Sequence, residues 1–109
     1  MKQSPIFTRT YDLLRWLIPA TVKFPRHQRF VLAESLQKDA LRFQEQIIRA
    51  AYSPQPRPWL EDADATLAVL RTQLRLAHDL ALLSRGQYRH AAAMVNEVGK
   101  LLGGWLKKV

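Results

Sequence analysis

Three histidines, His27, His78 and His90, are the only imidazoles this chain offers for acid–base or metal chemistry. None has a second histidine or a glutamate at the spacing that sets two ligands on one helix face, and the E-x-x-H pair of a carboxylate-bridged di-iron bundle is missing. His78 adjoins Asp79, but side chains one residue apart diverge on a helix. His78 therefore reads as an interface or core-edge residue and not as a base. Ser4, Ser35, Ser53 and Ser84 fall at termini, caps or polar faces, and no glycine-rich loop is present to cradle a phosphate. The chain has no cysteine, which excludes a disulfide framework and a thiolate metal site and allows a reducing cytosol. The expectation is a protein without enzymatic activity, cofactor or metal.

What the side chains do offer is positive charge. Lys and Arg exceed Asp and Glu enough to give a formal net charge of +8, and the sequence pI is about 10.5. Such an excess in a small domain favours a polyanionic partner, nucleic acid first and an anionic membrane surface second. The cations are also organised. At about 100° per residue, Lys38, Arg42 and Arg49 project within roughly 40° of one another, with Glu45 beside them to offset part of their field. Arg89, Asn96, Lys100 and Lys107 recur at intervals that keep them on one stripe. Arg71 and Arg75 form a pair in the third helical segment, and Lys23, Arg26 and Arg29 crowd the turn after the first. Several lysines and arginines on phosphates would make affinity fall steeply with salt. The competing reading of each stripe is an ordinary solvent face. Trp16, Trp59 and Trp105 are scattered at helix edges, so backbone or shape recognition is expected and base readout is not.

Four helices must position these charges. The first is predicted from about Thr8 to Phe24, with Ile6, Leu13, Leu17 and Phe24 near one edge of its apolar face and a kink or break at Pro19. The second runs from about Pro25 to Tyr52, with Phe30, Ala33, Ala40, Ile47, Ile48 and Ala51 on one face. "SPQPRP", Ser53 to Pro58, is expected to be a stiff, extended connection. The third starts near Trp59 to Asp62, with Glu61, Asp62 and Asp64 at the positive end of the helix dipole, and stops near "LLSRGQ". Ser84 and Gln87 have the spacing of a capping box that opens the fourth helix, which continues to Lys107 with Tyr88, Ala91, Val95, Val98, Leu102 and Leu106 inward. No stretch alternates with period two. The fold is all-α, an up-down-up-down antiparallel four-helix bundle in a single domain spanning residues 1–109.

The segment "LAVLRTQLRLAHDLALL", Leu67 to Leu83, carries apolar residues on two sides. Leu67, Leu70, Leu74, Ala77 and Ala81 form one stripe; Val69, Leu76, Leu80 and Leu83 form another roughly opposite, and Arg71, Arg75 and His78 lie between. A helix with two dry sides is buried on both, and this chain is too short to cover the second. Val69, Leu76, Leu80 and Leu83 are therefore expected at a contact between copies of the molecule. Gly99, Gly103 and Gly104 each cost about 1 kcal/mol against alanine inside a helix, and close approach of another helix is the simplest reason for them. No apolar run approaches the roughly 18 residues of a membrane span, and Arg9, Asp12 and Arg15 interrupt the apolar region a signal peptide needs.

Three blocks carry a family resemblance: "WLIPATVKFPRHQRFVLAESLQ", "DATLAVLRTQLRLAHDLALLS" and "QYRHAAAMVNEVGKLLGGWLKK". They resemble the accessory variability determinant (Avd) proteins of diversity-generating retroelements, within the wider group of bacterial four-helix-bundle proteins that includes the 23S rRNA intervening-sequence proteins. The resemblance spans almost the whole chain, and the "F-P-R-x-x-R-F" turn and the "E-V-G-K-L-L-G-G-W" close are its most specific parts. It implies a homopentameric barrel with a basic surface that binds the retroelement's reverse transcriptase and RNA or DNA, supports mutagenic retrohoming, and works in the bacterial cytoplasm and not in a membrane. On the same grounds Arg71, Arg75, Arg26 and Arg29 are the candidate contacts carried over from the matching blocks. Two readings of other classes stand beside it: an interaction scaffold or rRNA-associated protein with no retroelement role, and a peripheral membrane protein that uses the Trp16 helix and the Trp105–Lys108 end.

Overall fold

Proline opens two of the four long helices. The computed structural model describes residues 4–109, apart from the side chains of residues 28–30. Helix α1, Pro5–Val22, begins after an extended Ser4, and α3, Pro56–Asp79, begins after Gln55. In both cases the missing proline N–H falls among the first-turn donors that have no partner within the helix, so it costs nothing there. Helix α2, Glu34–Tyr52, is preceded without a break by a short turn, Arg26–Gln28, and a π-helical stretch, Arg29–Ala33. Helix α4, Arg85–Leu106, completes the set, and there is no strand among the described residues.

Each helix packs on its neighbours in sequence, and α1 closes the square against α4. Cross-links confirm the antiparallel sense. Phe7 near the start of α1 meets Trp105 near the end of α4, Trp16 meets His90, and Gln73 late in α3 reaches Ser35 early in α2. The core is a continuous column that includes Leu13, Leu17, Leu36, Phe43, Ile47, Leu60, Leu67, Leu70, Leu74 and Leu102. Full burial of one such side chain is worth about 1.5–3 kcal/mol. Among the buried polar groups, Thr21 donates to the Ile18 carbonyl at 2.9 Å and accepts from Gln37 at 2.9 Å. The Thr10 hydroxyl is buried and has no partner among the described residues.

Several boundaries differ from the sequence expectation, each for a physical reason. Helix α1 runs through Pro19 and ends at Val22. Pro19 and Arg15, the residue whose carbonyl loses its donor, are both on the exposed side, where water replaces the bond. Only Ser53 to Gln55 remain as the connection between α2 and α3, because Pro56 and Pro58 both fit the first helical turn. That start leaves α3 with no acid in its first turn, so Glu61, Asp62 and Asp64 lie beyond the reach expected for a dipole effect.

Helix α3 also stops earlier than expected, at Asp79. Ala81 adopts a left-handed φ of 62°, the Leu82 N–H returns to the Ala77 carbonyl at 2.8 Å, and the Ala81 N–H to the His78 carbonyl at 2.9 Å. This is the bond pattern of a Schellman ending, with alanine where glycine is usual. Ala81 is exposed and outside the core stripe, whereas the reversal swings Leu83 inward until it is buried. Leu83 thus belongs to the chain's own core and not to an outer contact. Ser84 then accepts from the Gln87 N–H at 3.1 Å while the Gln87 side chain accepts from the Ser84 N–H at 2.9 Å, and this capping box starts α4 as the spacing predicts.

In α2 the buried face is Leu36, Ala40, Phe43, Ile47 and Ala50; Ile48 is exposed and Ala51 half-buried. The Phe30 side chain, expected inward, lies outside the described residues.

Candidate nucleic-acid interface

The cations divide by whether a carboxylate sits one turn away on the same helix. On α2, Lys38 pairs with Glu34 at 2.8 Å, Arg42 with Asp39 at 3.5 Å and Arg49 with Glu45 at 3.0 Å. Arg49 also lies over the Trp59 ring, 5.6 Å from its centroid. On α3, Arg75 reaches Asp79 at 4.0 Å, and Arg57 reaches Glu61 at 3.6 Å. Apart from the largely buried Asp39 these partners are exposed, and such pairs are worth only tenths of a kcal/mol, but each carboxylate cancels much of its partner's distant field. The α2 stripe of Lys38, Arg42 and Arg49 is close to neutral as a unit.

Arg9 of α1 pairs across to Glu97 of α4 at 2.6 Å, but a second group of cations has no such partner. Lys23, Arg26, Arg71, Arg85, Arg89, Lys100, Lys107 and Lys108 make no ion pair with a described residue. By helical turn angle, Arg85, Arg89, Asn96, Lys100 and Lys107 fall within roughly 60° on the outer side of α4; Asn96 borders Arg71 of α3, and Lys100 borders Ser4 and Pro5 at the start of α1. The connection between α1 and α2 shares one end of the bundle with that between α3 and α4. Lys23 and Arg26 therefore lie at the same end as Arg85 and Arg89. The Arg29 side chain lies outside the described residues. The positive surface is thus the α3–α4 face and that end of the bundle, while Lys38, Arg42 and Arg49 belong to another face.

Where α3 meets α4, a recess of about 190 Å³ is lined by Arg71, Leu74, Tyr88, Ala92, Val95 and Asn96. Gly99 shapes its edge: a β-carbon there would collide with the Arg71 guanidinium and lie 3.5 Å from Leu67. The expected close approach at Gly99 is therefore to a side chain of the adjacent helix. Gly103 and Gly104 have open space where a β-carbon would go, so none of the described residues accounts for them. Behind the recess, the Tyr88 ring stacks on His78 with centroids 4.8 Å apart and planes 21° from parallel. The sequence shows no such aromatic platform beside a cation, because its members come from two helices.

Apolar residues are exposed on two separate faces. Val69 and Leu76 on α3 and Leu80 just past its end are 45%, 47% and 52% exposed, and Val31 is exposed at the same end of the α2–α3 pair. On the α1–α2 side, Tyr11, Leu41, Ile48 and Tyr52 are exposed, beside hollows lined by Leu14, Ile18, Pro19 and Phe7. This second face was not apparent from periodicity, which placed Ile48 in the core.

Among the described residues no three His, Cys, Asp or Glu side chains are grouped to hold a metal ion, and no helix is long and apolar enough to cross a membrane. Fold and surface together define a basic four-helix bundle whose candidate site is a charged face. Residues 5–109 match the family model described as bAvd-like, and the chain belongs to that family of Avd-type proteins. No curated protein matches it significantly.

Proposed function

We propose that this chain is a non-enzymatic accessory protein of a retroelement, acting in the cytoplasm and binding RNA or DNA through the α3–α4 face. The observation that carries the reading is the row of unpaired cations, Arg71, Arg85, Arg89, Lys100 and Lys107, on one face of a chain that belongs to the bAvd-like family. Cations without carboxylate partners keep their full field for phosphates, and each phosphate they neutralise releases counterions. Arg75, held only at 4.0 Å by Asp79, is free to exchange that carboxylate for a phosphate.

The reverse transcriptase of the element is the proposed protein partner, and the chain itself is proposed to assemble as a homopentameric barrel that supports mutagenic retrohoming. The two unlike apolar faces support assembly. A patch on α3 and a different patch on α1–α2 allow a head-to-tail contact, and head-to-tail contacts form a ring where the rotation between copies closes. In such a ring the basic faces repeat and their fields add.

The test is a salt titration of RNA and DNA binding by the native protein and by the Arg71→Ala/Arg75→Ala double variant. Each lost phosphate contact lowers the slope of log affinity against log salt by about 0.7–0.9. Salt-insensitive binding, or an unaltered slope in the double variant, would count against the reading. Capture of the polymerase that survives nuclease treatment, together with absent nucleic-acid binding, would favour a pure protein scaffold instead.

A further inference from the structure

The recess between α3 and α4 has a different composition from the cationic face around it. Its floor is Leu74 and Val95, both buried, with Ala92 beside them, and one wall is the Tyr88 ring held from behind by His78. Only its rim is polar, with the unpaired Arg71 guanidinium on one side and the Asn96 amide on the other. A phosphate would need donors on most sides, and this floor has none. A flat heteroaromatic ring would find apolar contacts below, an aromatic wall, and at the rim an amide that both donates and accepts. At about 190 Å³ the recess is smaller than the roughly 300–1,000 Å³ typical of pockets for whole drug-sized ligands. It is of a size for one ring system.

We propose that this recess is a nucleobase pocket: it takes one unpaired base of a bound strand while Arg89 and Arg75 hold the flanking phosphates. The inference rests on the nucleic-acid reading above and deepens it, because it assigns the site to single strands. A base inside a duplex is stacked and paired and does not reach the recess without being extruded. Arg71 acts at the junction of the two surfaces. Its seat over Gly99 sets the guanidinium at the rim, where its planar face is available to a base and its charge to a phosphate.

The experiment is fluorescence anisotropy with three labelled probes of equal length: an oligouridylate, its duplex with oligoadenylate, and an abasic strand with the same phosphates. The oligouridylate is expected to bind about tenfold more tightly than the abasic strand, the scale of one base–aromatic stack. Tyr88→Ala should reduce oligouridylate binding to the abasic level and leave duplex binding unchanged, and Tyr88→Phe should restore it. Asn96→Ala alters an exposed side chain, and it should shift the preference among homopolymers with little change on the abasic strand. Equal binding of oligouridylate and abasic strand would overturn the pocket while leaving the basic face intact, and so would a Tyr88→Ala loss shared equally by the duplex. Failure of all three probes to bind at any salt concentration would remove both.

Discussion

A terminal nitrogen of Arg71 occupies the space that a β-carbon on Gly99 would need. Gly99→Ala therefore separates stability from function. Alanine gains about 1 kcal/mol of helix propensity over glycine, and the clash is with the movable end of a long side chain, so the urea midpoint should rise or hold. Arg71 must swing away, and single-strand binding should weaken. A variant that unfolds more easily and binds normally would show that the contact has no part in the site.

Ala81 holds a left-handed backbone conformation at the end of α3. An L-residue with a β-carbon pays about 1–2 kcal/mol there, and glycine does not, although glycine loses about 0.5–1 kcal/mol more entropy on folding. Ala81→Gly is expected to stabilise by roughly 0.5–1 kcal/mol. Denaturant unfolding checks it, and a lower midpoint would contradict the Schellman ending.

The Thr10 hydroxyl is buried without a partner among the described residues, and Thr10→Val replaces it with a methyl of nearly the same shape. Leaving a buried hydroxyl unmade costs about 1–3 kcal/mol, so this substitution should raise stability by about 1 kcal/mol in the same assay. A loss would mean that the hydroxyl is satisfied in solution, by water for example.

Leu76 and Leu80 are half-exposed and Leu83 is buried, so lysine at these positions should have different consequences. Leu76→Lys and Leu80→Lys should leave the circular dichroism spectrum and the monomer fold intact and reduce the mass measured by light scattering. Leu83→Lys should unfold the chain, since an unpaired buried charge costs several kcal/mol. A native protein that is monomeric in dilute solution would remove the assembly part of the reading.

The helices were legible because their signals are local. Ser84 and Gln87 form a capping box within four residues, α2 ends at Tyr52 where the prolines begin, and the inward repeat of α4 from Ala91 to Leu102 is regular. What was not legible depends on geometry between helices or on a position within a turn. Pro56 and Pro58 read as a linker until the first helical turn is seen to tolerate both. The π stretch before Glu34 adds a residue to one turn and shifts which side chains face inward. Arg71, Tyr88 and Asn96 are neighbours only because α3 and α4 are antiparallel. The same holds for the division of the cations, since sequence stripes reveal their alignment but not which of them a carboxylate one turn away has already neutralised.

The Gln73 amide donates to Ser35 at 2.8 Å and to Asp39 at 3.0 Å. Leucine packed on leucine tolerates a slide of one helix along another, but a directional amide gripping two oxygens one turn apart does not. Gln73 thereby acts as a detent that sets the axial phase of α2 and α3. With it released, Val69, Leu76 and Leu80 would keep their exposure yet lose their fixed position along α2, and the outer apolar patch would exist without a shape that a second molecule could match.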